Sequence, residues 1–156
     1  MSEHATPHSS LEISDWLQGR LLHLPFNVAL PKQLALGCFS AVFEHHRSIA
    51  ILAEMERFAS AFALLRPAMD ALMRGYWLSH HATEVEVRNV LEGGDPPSTT
   101  RLIEILEQGG SVLPINFAQR FHQRNWTAMC DFTHTGIRQI ARQFHDDVVT
   151  CLGAAG

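Results

Sequence analysis

Residues 64–81 read LLRPAMDALMRGYWLSHH, and how this stretch is read decides the fold. Arg66, Asp70 and Arg74 fall four residues apart, so on an α-helix they stack along one face. Around them stand Leu64, Leu65, Met69, Leu72, Met73, Tyr76 and Trp77, which leave little polar surface beside the charges. Pro67 removes one backbone hydrogen bond and crowds the preceding turn, so the spacing predicts a kink near Leu64 or a helix that starts at Arg66.

On the N-terminal side, Pro31 opens the run PKQLALGCFSAVFEHHRSIAILAEMER, whose apolar positions repeat with a helical period over about seven turns. A long helix over about 32–56 follows. The pattern pauses at Phe58–Ser60, and Ser60 is a candidate cap for the next helix, which runs to about His81. Two long apolar helices joined by a short connection pack antiparallel, as an αα-hairpin. Further upstream, Ser9 or Ser10 caps a helix over about 10–24 that Pro25 stops. Downstream, the spacing predicts a short helix over 83–91 and a Gly-Gly-Asp-Pro-Pro loop. A helix capped by Thr99 or Thr100 follows and ends at Gly109-Gly110. Beyond Pro114 a further helix runs to Gly136, and IRQIARQFHDDVVTCLG reads as a last one. No strand alternation, repeat or low-complexity tract stands out. The expected fold is all-α: an irregular bundle of five to seven helices over residues 10–150, with a disordered N-terminal tail at 1–9 and a C-terminal tail at 151–156.

The 156 residues, 46% of them hydrophobic and 18% charged, suit one domain with its own core. A net charge of −4 gives no global field for nucleic acid or an anionic membrane. The charge is unevenly spread, at +1 over residues 114–156 and −5 over the rest. Eleven of the twelve basic residues are Arg, which suits paired carboxylates or phosphates and follows equally from GC-rich codons. Cys38, Cys130 and Cys151 form no C-x-x-C pair, which points to free thiols in a reducing compartment. The first ten residues lack the features of a signal peptide, and no stretch reaches the roughly 20 apolar residues of a membrane span. A cytoplasmic location is expected.

Two readings compete for the charged stripe. Either Arg66, Asp70 and Arg74 pair with one another on an exposed edge, worth a few tenths of a kcal/mol per pair, or they point inward and take partners from another helix. The obvious donor of partners is RNWTAMCDFTHTGIRQIAR, residues 124–142, where Asp131 and His134 share a face and Arg138 continues it. In the structural version Asp131 accepts from Arg66 or Arg74, and His134 caps a helix end. In the functional version the two segments line a polar cleft, with His134 as general acid/base, Asp131 orienting it, and Arg124 and Arg138 holding a phosphodiester. Ten histidines raise the question of metal. Asp131/His134 is the only acid-x-x-His pair in the helical core, however, and di-metal bundles need two such pairs and further carboxylates. No metal or cofactor is expected. No P-loop, G-x-S-x-G or H-E-x-x-H occurs.

LLRPAMDALMRGYWL followed by DFTHTGIRQIAR resembles a group of uncharacterised bacterial helical proteins with an Arg-Pro-x-x-acid-Ala-x-x-Arg-Gly-x-Trp helix and a late Phe-Thr-His-x-Gly segment, over residues 35–145. More loosely the chain is similar to the HEPN superfamily, small helical bundles that often dimerise and include ribonuclease toxins and phage-defence proteins. That resemblance implies Arg124, Asn125 and His134 as displaced equivalents of the ribonuclease motif. The usual His position is held by Met129, and His134 lies ten residues beyond Arg124. The expectation is therefore protein, nucleotide or RNA binding in a toxin or defence setting, by a homodimer without a membrane role. Arg66, Asp70, Arg74, Asn125 and Arg138 are its ligand-binding candidates. A metal-independent ribonuclease and a scaffold without chemistry are the alternatives.

Overall fold

Seven helices account for most of the residues that the computed structural model describes, 9–21, 29–108, 116–134, 144–145 and 148–149. They are α1 (Ser10–Leu21), α2 (Leu30–Glu54), α3 (Phe58–Ala63), α4 (Leu65–His80), α5 (Glu84–Leu91), α6 (Thr99–Gln108) and α7 (Phe117–Thr133). Two short strands, β1 (Phe144–His145) and β2 (Val148–Val149), pair antiparallel with Phe144 opposite Val149. Among the described residues the protein is all-helical apart from this strand pair. No described helix is long and apolar enough to cross a membrane.

Helix α4 is the centre of the molecule. Met69, Met73 and Trp77, one turn apart, are buried against Leu102, Ile103 and Leu106 of α6 and Ala118 of α7. The neighbouring face of α4 lies along α2, the most extensive helix–helix contact among the described residues. Close approach there requires a glycine: a Cβ on Gly75 would sit 2.8 Å from Cε1 of Phe39 and 3.1 Å from Cβ of Cys38. The chain turns back between the two helices at Met55–Arg57, where Glu56 has φ 57°. Its amide donates to Ala53 O and that of Arg57 to Leu52 O, the paired bonds that close a helix C-terminus.

Local chemistry sets most boundaries. Ser9 caps α1, its hydroxyl accepting from the Glu12 amide while the Glu12 carboxylate accepts from the Ser9 amide, a capping box. Pro31 lies in the first turn of α2, where no amide is needed. Thr83 and Glu86 make the same box at α5. That helix ends at Gly93, φ 99°, with Gly93 donating to Val90 O and Gly94 to Asn89 O. Helix α1 is fastened to α2 by the buried Ser14 hydroxyl, 2.5 Å from Nδ1 of His46, and by the Asp15–Arg47 ion pair.

Several expectations need correction. Ser60 caps nothing and lies inside α3, which starts at Phe58 without a side-chain cap. Ser98 caps α6, accepting from the Arg101 amide, in place of Thr99 or Thr100. Residues 144–145 and 148–149 form strands where a last helix was expected; Val148 and Val149 are β-branched and suit a pleated ladder. Of the expected N-terminal tail at 1–9, Ser9 is described and caps α1; the rest of it, the tail at 151–156, the glycine stop at 109–110 and the course through Gly136 lie outside the described residues.

Candidate functional site

The break between α3 and α4 creates the site. Leu64 keeps a nearly helical backbone, φ −81° and ψ −14°, but Pro67 has no amide proton for the Ala63 carbonyl four residues earlier. A carbonyl left without that donor needs another. It comes from α7: the Thr133 hydroxyl lies 3.3 Å from Ala63 O and 2.8 Å from Met129 O, so its one proton faces both. Phe62 stacks on Phe132 beside it, ring centroids 5.1 Å apart. The proline of one motif is thus answered by the threonine of the other.

Next to this contact, Arg66 Nη1 donates to Nε2 of His134 at 2.5 Å, across 68 residues of chain. A guanidinium only donates, so Nε2 is the acceptor and the neutral imidazole carries its proton on Nδ1. The Arg66 guanidinium also lies over the Trp126 ring, 5.0 Å from its centroid, and Trp126 in turn packs on His122 at 4.6 Å. Asp70 completes the set. Its Oδ2 is 3.9 Å from Arg66 Nε, and its Oδ1 accepts from the Thr99 hydroxyl at 3.2 Å. Arg66 and Asp70 keep 28% and 25% of their side-chain surface exposed, so water screens the pair, and at 3.9 Å it is weak by itself. The charge-assisted bond to His134 and the aromatic contact carry more.

Arg74 does not join this cluster. It is exposed and lines a separate groove of about 640 Å³ between α2, α4, α5 and the loop at Pro96, together with Cys38, Asp70, Trp77 and Val90. Burial pushes the Cys38 thiol up from its ordinary value, and the Arg74 charge pulls against that shift. Asp70 is the residue common to the cluster and the groove.

The candidates therefore separate. Arg66, Asp70 and His134 are brought together, with His134 Nε2 2.5 Å from Arg66 Nη1 and Asp70 Oδ2 3.9 Å from Arg66 Nε. Asp131 is half-buried on α7 one turn before His134. Arg124 is exposed on α7. Asn125 donates from Nδ2 to Phe121 O at 3.0 Å, within its own helix. Arg138 lies outside the described residues. Among the described residues no three His, Cys, Asp or Glu side chains are grouped to hold a metal ion. Trp126, Thr133, Phe62 and Thr99 were not anticipated. Trp126 and His134 are eight apart with Cys130 between, a one-face spacing that marks the tryptophan. The other three have no comparable signal.

Comparison with curated proteins and with solved structures finds no match to either. A family model does match, over residues 39–152, a stretch that holds both the Arg66 segment and the His134 segment. The chain belongs to DUF6988, a family of unknown function.

Proposed function

We propose that this is a HEPN-like cytoplasmic binding protein of a toxin or phage-defence system, which takes a nucleotide or an RNA strand at the Arg66–Trp126–His134 cluster without cutting it. The observation that carries the reading is the Arg66 guanidinium, fixed over an indole and against an imidazole at a partly open surface. It has five N–H donors and spends one on His134, with only a loose contact to Asp70, so donors remain for a phosphate. Trp126 offers an aromatic surface for a base, and Arg124 on the same helix adds positive charge. The Nε2 lone pair of His134 is engaged by Arg66, which favours holding over proton transfer.

Fluorescence anisotropy with a labelled single-stranded RNA, run in chelator, tests this. The wild type is expected to bind, Arg66→Ala to bind at least about tenfold more weakly, and neither to shorten the RNA. Cleavage by the wild type that His134→Ala abolishes would favour the ribonuclease. Absence of binding would leave the scaffold reading or a protein partner.

We further propose a homodimer. Ile51, Met55, Phe58 and Phe62, within twelve residues at the α2–α3 junction, are each exposed, Met55 at 60%, and exposed apolar side chains close in sequence suit association. Light scattering at micromolar concentration is expected to return a dimer; a clean monomer removes it.

A further inference from the structure

We propose that the groove between α2, α4 and α5 is a second ligand site, and that it takes a small amphipathic carboxylate, its head on Arg74 and its apolar body along Leu34, Ala71, Val90 and Leu91. The site is distinct from the RNA site proposed above and stands or falls separately.

The size is right for such a molecule: about 640 Å³, within the range of small-molecule pockets. Its walls are mostly apolar, with Leu34, Gly37, Ala41, Ala71, Val90 and Leu91 among them. Three polar side chains enter it, those of Cys38, Asp70 and Arg74. Asp70 is taken up by Arg66 and Thr99. The Cys38 thiol is held in its neutral form by burial, so it offers no negative charge. Arg74 is left as a guanidinium with no ion pair or hydrogen bond of its own among the described residues. Three other arginines are engaged, Arg47 with Asp15, Arg88 with Glu84 and Arg101 with Glu104.

One unpaired guanidinium beside an apolar trough selects a single negative charge joined to an apolar body. A carboxylate meets the fork with two parallel hydrogen bonds. A phosphate monoester, with nearly two charges, would leave one uncompensated in a groove that also presents Asp70. A neutral alcohol would lack the charge-assisted bonds.

Isothermal titration of the full chain with decanoate and with 4-phenylbutyrate tests the assignment, with decanol and decyl phosphate as comparison ligands. At least one carboxylate is expected to bind at millimolar concentration or below, and more tightly than decanol or decyl phosphate. Arg74→Gln is expected to weaken that binding about tenfold or more. The bound acid is also expected to slow alkylation of Cys38, read by peptide mass spectrometry, and to leave Cys130 unchanged. Ala71→Phe, which fills the trough from the α4 side, is expected to abolish binding in a variant whose circular dichroism matches wild type. Failure of both acids to bind, equal binding by decanol or decyl phosphate, or full binding by Arg74→Gln would overturn the proposal. RNA binding is expected to survive Arg74→Gln, so loss of one site does not mimic loss of the other.

Discussion

Two arginines on one helix, eight residues apart, meet opposite surroundings. Arg66 at the start of α4 has an imidazole, an indole and a carboxylate around it. Arg74 two turns on looks over an open groove, where the carboxylate on the wall, Asp70, is already shared with Arg66 and Thr99. The residue type, the spacing and the helix are the same, so the difference comes from what packs alongside. At Arg66 the proline break brings α7 into contact through Thr133 and Phe132. At Arg74 the neighbour is the small-residue face of α2, with Gly37, Cys38 and Ala41 on the groove wall. A charged stripe is therefore a structural tie at one end and an exposed guanidinium on an open groove at the other, and its periodicity does not distinguish them.

The largest effect that would break this contrast acts on the packing that both ends share. Gly75→Leu drives a side chain into Phe39 and Cys38 and is expected to cost about 3 kcal/mol or more; a thermal melt within a degree of wild type would show that α2 and α4 separate without penalty. Next comes Arg66→Ala, expected to cost about 2 kcal/mol through the lost charge-assisted bond and cation–π contact. At this chain length that lowers Tm by about 4–8 °C. Thr133→Val removes the hydroxyl that faces the Ala63 carbonyl and is expected to cost about 1 kcal/mol in denaturant unfolding. Arg74→Ala is expected to change stability by under about 0.5 kcal/mol, and a loss as large as that of Arg66→Ala would erase the contrast.

The smallest effect is a control away from both. Backbone and side-chain hydrogen bonds from Thr83 hold the Glu86 carboxyl below its ordinary value. A group depressed in the folded state adds stability above its unfolded value and loses it as pH falls through the folded one. The Thr83–Glu86 box should therefore weaken only in acid, below the usual carboxylate range. Thr83→Ala is expected to lower Tm slightly at pH 7, with the difference shrinking toward pH 3; a constant difference would mean the carboxylate plays no part.

Much of this fold was legible because it rests on local rules. The helical period of residues 64–81, the break before Pro67 and the long apolar helix after Pro31 follow from spacing and from proline's missing amide. The α2 stop was harder to see, since the left-handed position is held by Glu56 rather than glycine. The strand pair at 144–145 and 148–149 escaped because four paired residues carry too little pattern to outweigh the helix formers before them. Within the candidate site, Arg66, Asp70 and His134 could be picked out by type and period. That Arg66 rather than Arg74 meets the imidazole depends on where α7 crosses α4, which is a property of the packed core and of no single segment. Thr133 acquires its role only because Ala63, seventy residues away, lost a donor to Pro67.

The pairing of the two motifs is tested most directly by a double-mutant cycle on unfolding free energy with Arg66→Gln and His134→Ala, alongside the same cycle for Arg74→Gln and His134→Ala. Coupling of about 1 kcal/mol or more is expected for the first pair and additivity within about 0.5 kcal/mol for the second. Additive behaviour of Arg66 and His134, or equal coupling in both cycles, would contradict the contact that joins α4 to α7.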